Sequence, residues 1–511
     1  MKSVCCIRVR NLRAGYSATG RFLPAGRRLL VEGLSFDLQP GELLGILGPN
    51  GSGKSTILKG IVDVRNRFAG EVLCNNEPLI PGQIAYVPQA PAGTLSPWLN
   101  VCSEIALPLR VQRVFRKRWK ARVEKLIHDL AIWMPLERRV ERLSGGQRVK
   151  VALLRALAVP DPRLFVLDEP FEGLDTDTRR TVIQLIRAEV GKGIPVIVTS
   201  HRAEDLHALG ARMMTIVGSP VTNLVAATSS TGQTPVDQAE QLPRKNDVFS
   251  AVSTAREPEN VRWRMTAVLF GGVGFICGFV LWAILSMFVS NPGLLPSPFS
   301  VVREMVRLLT SSDLAPHLGA TMLRAMLGWT AANLVAVPLG ILFGYDARFF
   351  QAVAPWLSIG RALPIFVLVG PAAGLFPRLP ETQRGFLIWL TLFVISLQAV
   401  SATAALAPRR RMNIARVFGA SHWFRLTRIM PFEAISGIFV ALEVTLPLAV
   451  VVTLVLETFL IPKIGLGLYI FNHLNDSDLS LLFAHILWPG VIAAALLAFI
   501  RRLSRSFRYE L

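Results

Sequence analysis

From residue 265 to residue 289 the chain runs for 25 residues without a charged side chain. At about 1.5 Å per residue, a helix of that length spans the roughly 30 Å hydrocarbon core of a bilayer. Further predominantly apolar segments follow near 319–345, 352–376, 385–407, 432–460 and 481–500. A soluble core has no room for so many long apolar helices. Residues 262–511 are therefore expected to form an all-α transmembrane domain of about six spans, with the lipid bilayer as its solvent. Pro338, Pro355, Pro364, Pro371, Pro447 and Pro489 interrupt these spans. Such residues are tolerated where neighbouring helices or a watery cavity satisfy the freed backbone groups.

Charge placement orients the spans. The loop 408–431 carries Arg409, Arg410, Arg411, Arg416, Arg425 and Arg428, whereas the loops 290–318 and 461–480 are poorer in positive charge. Arginine-rich loops stay in the cytoplasm, and six spans put both termini on that same side. The formal net charge of +20 includes these clusters and the arginines at 501, 502, 505 and 508. Anionic headgroups are thus the expected partner of the basic residues, and nucleic acid is not. Glu443 falls inside the fifth span, where an ionisable group is costly. It is expected either to line a pathway or to pair with another polar group.

Residues 1–222 read differently. Short apolar runs at 43–47, 164–167 and 196–199 alternate with helical stretches, the pattern of a mainly parallel, buried sheet. Residues 223–261, rich in Ser, Thr, Gln and Pro and without a periodic apolar face, read as a flexible linker. The N-terminal stretch has no apolar run of the kind a secretory signal needs, so this half is expected to stay in the cytoplasm. Cys5, Cys6, Cys74, Cys102 and Cys277 lack metal-ligand spacing, and structural disulfides are not expected in a reducing compartment.

Directly after the run 43–47 comes Gly48-Pro49-Asn50-Gly51-Ser52-Gly53-Lys54-Ser55-Thr56, a complete P-loop pattern. Glycines let successive N–H groups turn toward phosphates, and the following helix points its positive end at them. Lys54 can reach the β- and γ-phosphates of ATP, and the Ser55 hydroxyl can hold Mg²⁺. A second apolar strand, Leu164-Phe165-Val166-Leu167, ends in Asp168-Glu169. There Asp168 is placed to orient Mg²⁺ through its water shell and Glu169 to take a proton from the attacking water.

Leu143-Ser144-Gly145-Gly146-Gln147 resembles the signature of ATP-binding cassette (ABC) proteins, at the expected interval between the P-loop and Asp168. The resemblance implies an α/β P-loop NTPase fold (ABC cassette) followed by the six-helix permease domain. It implies adenine stacking by Tyr16, Mg²⁺ sensing by Gln89, a D-loop at Gly173-Leu174-Asp175 and a γ-phosphate contact by His201. In this family two cassettes clamp ATP head to tail, so Ser144, Gly145, Gly146 and Gln147 would serve a nucleotide held by a second copy. The membrane half is similar to permeases of the bacterial sulfonate, nitrate and taurine import group. The likeness lies in Leu295-Pro-Ser-Pro-Phe-Ser-Val-Val, in the coupling segment around Ala415, Gly419 and Pro431, and in Gly465-Leu-Gly467. Ser96-Pro97-Trp98-Leu99 echoes the same group. Asn413 departs from the acid that usually opens the coupling motif, and Gly419 to Pro431 is one residue short. The resemblance implies an importer in the bacterial inner membrane, acting as a homodimer and supplied by a separately encoded extracytoplasmic binding protein. Export by the same engine, or a membrane-tethered signalling ATPase, are the rival readings.

Overall fold

The structure, a computed structural model, describes residues 5–18, 26–129, 134–172, 174, 176–217, 220–226, 261–289, 294–311, 314–407, 409–473 and 479–507. The chain divides into two compact units. One holds the N-terminal residues together with the segment Pro408–Phe432, and the other holds the remaining helices.

The N-terminal unit has two sheets. β1 (Ile7–Ala18), β2 (Gly26–Leu38), β4 (Arg67–Cys74) and β5 (Glu77–Pro78) form an antiparallel sheet in the order β2-β1-β4-β5. Ile7, Val9, Leu12 and Ala14 are buried on β1, an alternation that changes phase at Asn11. The pairing shifts register there, and Asn11 has φ 46°, so one extra residue returns the apolar side chains to the inner face. Opposite, Gly70 has φ 89°, and a Cβ at that position would lie 2.3 Å from the Asn11 carbonyl oxygen. Cys5 and Cys74, brought together by these neighbouring strands, are disulfide-bonded with Cα atoms 5.8 Å apart. That corrects the expectation of free thiols: pairing across the sheet, invisible in the spacing of 69 residues, sets their proximity.

The second sheet combines β3 (Leu43–Leu47), β6 (Ile84–Val87), β7 (Leu164–Asp168), β8 (Val196–Ser200), β9 (Arg212–Val217) and β10 (Asn223–Ala226). Its order is β10-β9-β3-β8-β7-β6, parallel except for β10. β7 and β8 are buried at every residue, as strands covered on both faces should be. Residues 223–226, expected to begin the linker, instead form β10 against β9. Residues 227–260 lie outside the described set. Around the sheets run α1 (Lys54–Val62), α2 (Val101–Ile105), α3 (Leu107–Val111), α4 (Arg116–Asp129), α5 (Gly145–Leu157), α6 (Thr176–Gly191) and α7 (Ala203–Leu209).

In the helical unit, four described helices are long and apolar enough to cross a membrane: Leu314–Tyr345, Pro380–Leu406, Ile435–Phe459 and Ser480–Arg505. The first expected span coincides with the helix Val261–Phe288, whose described side chains form the apolar stretch Gly272–Phe288. The third expected span, 352–376, is not one helix. The helix Ala347–Ala362 stops at Leu363, a 3₁₀ turn Ile365–Leu368 follows, and a short helix Val369–Leu375 completes the segment. Pro364 accounts for the break, because a proline disfavours helical geometry at the residue before it, and Leu363 has ψ 122°. Pro338, Pro447 and Pro489 are absorbed inside longer helices. The helices Leu314–Tyr345 and Pro380–Leu406 approach closely through small residues. Ala325, Ala332 and Ala336 are fully buried, and a Cβ at Gly344 would lie 2.4 Å from the Ala404 Cβ.

Candidate nucleotide-binding site

The parallel register decides what meets at the carboxyl edge of the second sheet. Leu47 lies opposite Ser200, and Asp168 opposite Thr199. The chain leaving β3 as the P-loop, the end of β7 and the end of β8 therefore converge, at the edge where open α/β sheets bind ligands. Gly53 caps α1 with φ 100°, and Gly51 has φ 85°, so the loop turns its amides inward in a conformation that side-chain-bearing residues rarely adopt.

Lys54, almost wholly buried, donates to the Gly48 carbonyl at 2.7 Å and the Pro49 carbonyl at 2.9 Å, and its Nζ is 3.0 Å from Glu169 Oε1. Ser55 Oγ donates to Asp168 Oδ1 at 3.0 Å, and Thr199 Oγ1 donates to the same oxygen at 2.9 Å. The Glu169 backbone N–H donates to Thr199 Oγ1 at 3.0 Å, and Glu169 takes φ 49°, a strained value that turns its side chain back over the loop. His201 Nδ1 stands 3.5 Å from Glu169 Oε2. That buried oxygen has no hydrogen-bond partner among the described residues, nor has Ser52 Oγ. Burial pushes the Asp168 carboxyl above the usual carboxylate range, against the hydrogen bonds from Ser55 and Thr199, which lower it. Gln89 Nε2 reaches Glu172 Oε2 at 3.5 Å.

These contacts fit a nucleotide and a divalent cation. Among the described residues, two buried polar atoms lack hydrogen-bond partners, an ammonium meets its own loop and one carboxylate, and a hydroxyl–carboxylate pair offers hard oxygen donors. Asn50 and Gly51 are at the exposed tip of the loop, and Thr56 lies buried in the first turn of α1. Tyr16 belongs to β1, but its side chain, like Gly173 and Asp175, lies outside the described residues. Ser144 caps α5 in a reciprocal arrangement: its Oγ accepts from the Gln147 N–H, and Gln147 Oε1 accepts from the Ser144 N–H. Ser144 and Gly145 are exposed, and nothing lies within 4 Å of a Cβ built on Gly145.

The segment between the helices Pro380–Leu406 and Ile435–Phe459 packs within this same unit. Its helix Arg410–Val417 buries Ala415 completely. Arg416 Nη1 pairs with Asp63 Oδ2 at 3.1 Å, Arg411 Nε donates to the Leu95 carbonyl at 2.7 Å, and the Gly82 N–H donates to the Val417 carbonyl at 2.7 Å. Trp98 lies under the Arg411 guanidinium and stacks on Phe432 at 5.0 Å. Gly419 takes φ 90° beside Gly82, and Pro431 sits in the single turn Met430–Glu433. A cavity of about 350 Å³ has Gln89 and Asp168 in its wall together with Arg410, Asn413 and Ile414.

Beneath this contact is a pair that sequence reasoning missed. Arg155 and Glu104, both fully buried, meet at 2.6 Å, and Arg155 also donates to the Thr94 carbonyl and hydroxyl and lies over the Phe418 ring. Burial lowers the Arg155 pKa, opposed by Glu104. The available signal was a single charge within each of two apolar runs, 151–159 and 101–109. In the other unit, Glu443 lies near Arg501 Nε (3.4 Å) and Ser504 Oγ (3.5 Å).

A P-loop nucleotide-binding fold is the class these elements define. Residues 31–172 match the family described as ABC transporter. Among curated proteins, the chain is 33% identical over 196 residues to a Nod factor export ATP-binding protein I of Burkholderia pseudomallei (strain 1710b), covering 37% of this chain and 63% of that protein. It is 34% identical over 203 residues to a molybdate/tungstate import ATP-binding protein of Thermococcus kodakarensis, covering 36% and 61%. The chain thus spans somewhat under two thirds of the length of these relatives. Among solved structures, a post-hydrolysis dimer of an ATP-binding cassette bound to ADP and Pi aligns with 44% of this chain and all of that one, at 22% identity and a TM-score of 0.37. The N-terminal unit carries an ABC transporter ATP-binding cassette, and a helical region follows it whose described residues include four apolar candidate membrane helices.

Proposed function

We propose that this chain is half of an ATP-driven transporter, a cassette and a permease in one polypeptide, taking up a small anionic solute such as a sulfonate across a bacterial inner membrane. One observation carries the reading. Lys54, Ser55, Asp168 and Glu169 converge at one sheet edge, while the segment joining two membrane-length helices folds onto the same unit.

In this reading the P-loop amides of Gly51 to Ser55 and the Lys54 ammonium hold the β- and γ-phosphates of ATP. Ser55 and Asp168 would hold Mg²⁺, which when bound neutralises phosphate charge. Glu169, whose Oε2 has no hydrogen-bond partner among the described residues, accepts the proton of an attacking water. His201 and Gln89 approach the same space from β8 and from the loop after β6. Ser144 and Gly145, exposed on a capped helix start, serve the nucleotide of a second copy, so two chains make two sites. The docked arginine helix then moves with the cassette. Reversing a 1:99 equilibrium of permease states needs about 5.5 kcal/mol of differential binding. A separate extracytoplasmic protein delivers the solute.

Replacing Glu169 by Gln is expected to preserve ATP binding while reducing phosphate release in reconstituted vesicles by a factor of about 100 or more, the scale of general-base catalysis. Unchanged release would remove Glu169 from this role. Export is a second reading, favoured by the Nod factor export relatives. Solute movement in sealed vesicles with outward-facing cassettes distinguishes the two by direction.

A further inference from the structure

Four charged side chains meet at one end of the helical unit, at positions no sequence motif had marked as a site. Arg324, on the helix Leu314–Tyr345, donates from Nη1 to Glu457 Oε1 (2.8 Å) and to the Ile464 carbonyl (2.9 Å). The same guanidinium forks onto Glu381, Nε to Oε2 at 2.8 Å and Nη2 to Oε1 at 2.9 Å. Arg384, one turn along from Glu381 on the helix Pro380–Leu406, donates from Nη2 to Glu381 Oε1 at 2.6 Å and from Nη1 to the Leu460 carbonyl at 2.7 Å.

The two carboxylates are not equivalent. Glu457 is fully buried, and its second oxygen accepts from Thr321 Oγ1 (2.8 Å) and from the Gly467 N–H (3.0 Å) at the start of the helix Leu466–His473. The close approach is built in, since a Cβ at Gly467 would fall 2.2 Å from the Glu457 Cβ. Glu381, by contrast, is 59% exposed and is held by the two arginines. Removing Glu457 would strand a buried charge, whereas Glu381 lies in the exposed first turn of its helix. Arg384 cannot leave: its side chain is 4% exposed, and its buried Nε has no hydrogen-bond partner among the described residues.

We propose that Arg324 and Arg384 form a recognition site for a small soluble oxyanion, a sulfonate or carboxylate, with Glu381 as its exchangeable internal occupant. The inference rests on reading this unit as a permease, and it names the chemistry of the solute that arrives at this end. The Arg324 guanidinium presents two parallel N–H donors, the geometry that matches two oxygens of one anion, and Arg384 adds a third donor to one of them. An incoming oxyanion replaces Glu381 on both arginines and removes the ion pair that joins the first turn of the helix Pro380–Leu406 to Leu314–Tyr345, while the Arg324–Glu457 pair persists. A neutral solute has no charge with which to displace the carboxylate.

The test uses the full chain in dodecyl maltoside, a detergent without phosphate, at constant ionic strength. Methanesulfonate is compared with its neutral isostere methanesulfonamide. Hydrogen–deuterium exchange in peptides covering 381–384 and 460–467 is expected to change with the sulfonate and not with the sulfonamide. Glu381→Gln removes the competing charge and is expected to tighten methanesulfonate binding at least about tenfold, the scale of one charge-assisted hydrogen bond. Arg384→Gln is expected to abolish it. Equal responses to the two isosteres, or unchanged affinity in Glu381→Gln, overturn the proposal, and if that variant does not fold, the isostere contrast in the unmodified chain decides alone. Phosphate release from ATP is measured separately: its absence alongside anion binding would sink the transporter reading and leave this site standing.

Discussion

Removing the carboxylate that faces Arg155 tests how the cassette supports its docked segment. Glu104→Gln leaves the Arg155 guanidinium fully buried with an amide where its counter-ion stood. Arg155 retains its bonds to Thr94, but the carboxylate that balances its charge, and that also accepts the Ser96 N–H at 3.2 Å, is gone. Breaking one partner of a buried pair costs about 3–5 kcal/mol. For a unit of this size each kcal/mol shifts the melting temperature by about 2–4 °C, so a fall of roughly 6–20 °C is expected. Replacing both partners by apolar residues, Glu104→Met with Arg155→Met, is expected to recover at least half of the loss, because no charge is then stranded. Thermal unfolding of the purified chain, followed by circular dichroism with and without ATP, provides the measurement. If Glu104→Gln melts with the parent chain, or the double substitution is as unstable as the sum of the singles, the pair does not support the docked segment.

Two further outcomes are expected, one from burial and one from charge pairing. Burial raises the Asp168 pKa, so its contribution to stability is present below the ordinary carboxylate range and is lost as pH rises through the raised value. Asp168→Asn should therefore unfold at a higher temperature than the parent near about pH 8 without nucleotide, with the difference shrinking as the solution is acidified; a constant difference refutes the cause. On the proposed transporter reading, exchanging the partners of the Arg416–Asp63 pair, Arg416→Asp with Asp63→Arg, should restore ATP-driven solute movement lost in either single change. If the exchanged pair is no better than the singles, the 3.1 Å contact does not couple the segment to the cassette.

Much of the candidate site could be read from the chain because its chemistry is local. A P-loop is contiguous, its glycines are needed at successive positions, and the acids follow directly on a buried strand. Lys54, Ser55, Asp168 and Glu169 meet as those motifs require. His201 stands beside Glu169, although the spacing between β7 and β8 says nothing of their pairing. The membrane-length helices were legible for a similar reason: apolar length is a property of consecutive residues. Pro364 was visible too, but whether a proline kinks a helix or ends it depends on what surrounds it. Pro338 is absorbed and Pro364 is not.

Composition, periodicity and contiguous motifs thus determined a nucleotide-binding α/β unit, a set of apolar helices and an arginine-rich connection between two of them. Only the folded chain decided which arginine meets which partner. Arg416 on Asp63, Arg411 over Trp98, Arg155 on Glu104 and Arg324 between Glu381 and Glu457 all join residues far apart in the chain. Charge pairing acts through space over a few ångströms and leaves no periodic trace along the backbone, whereas hydrophobic burial repeats with the helix or the strand and is written into the sequence itself.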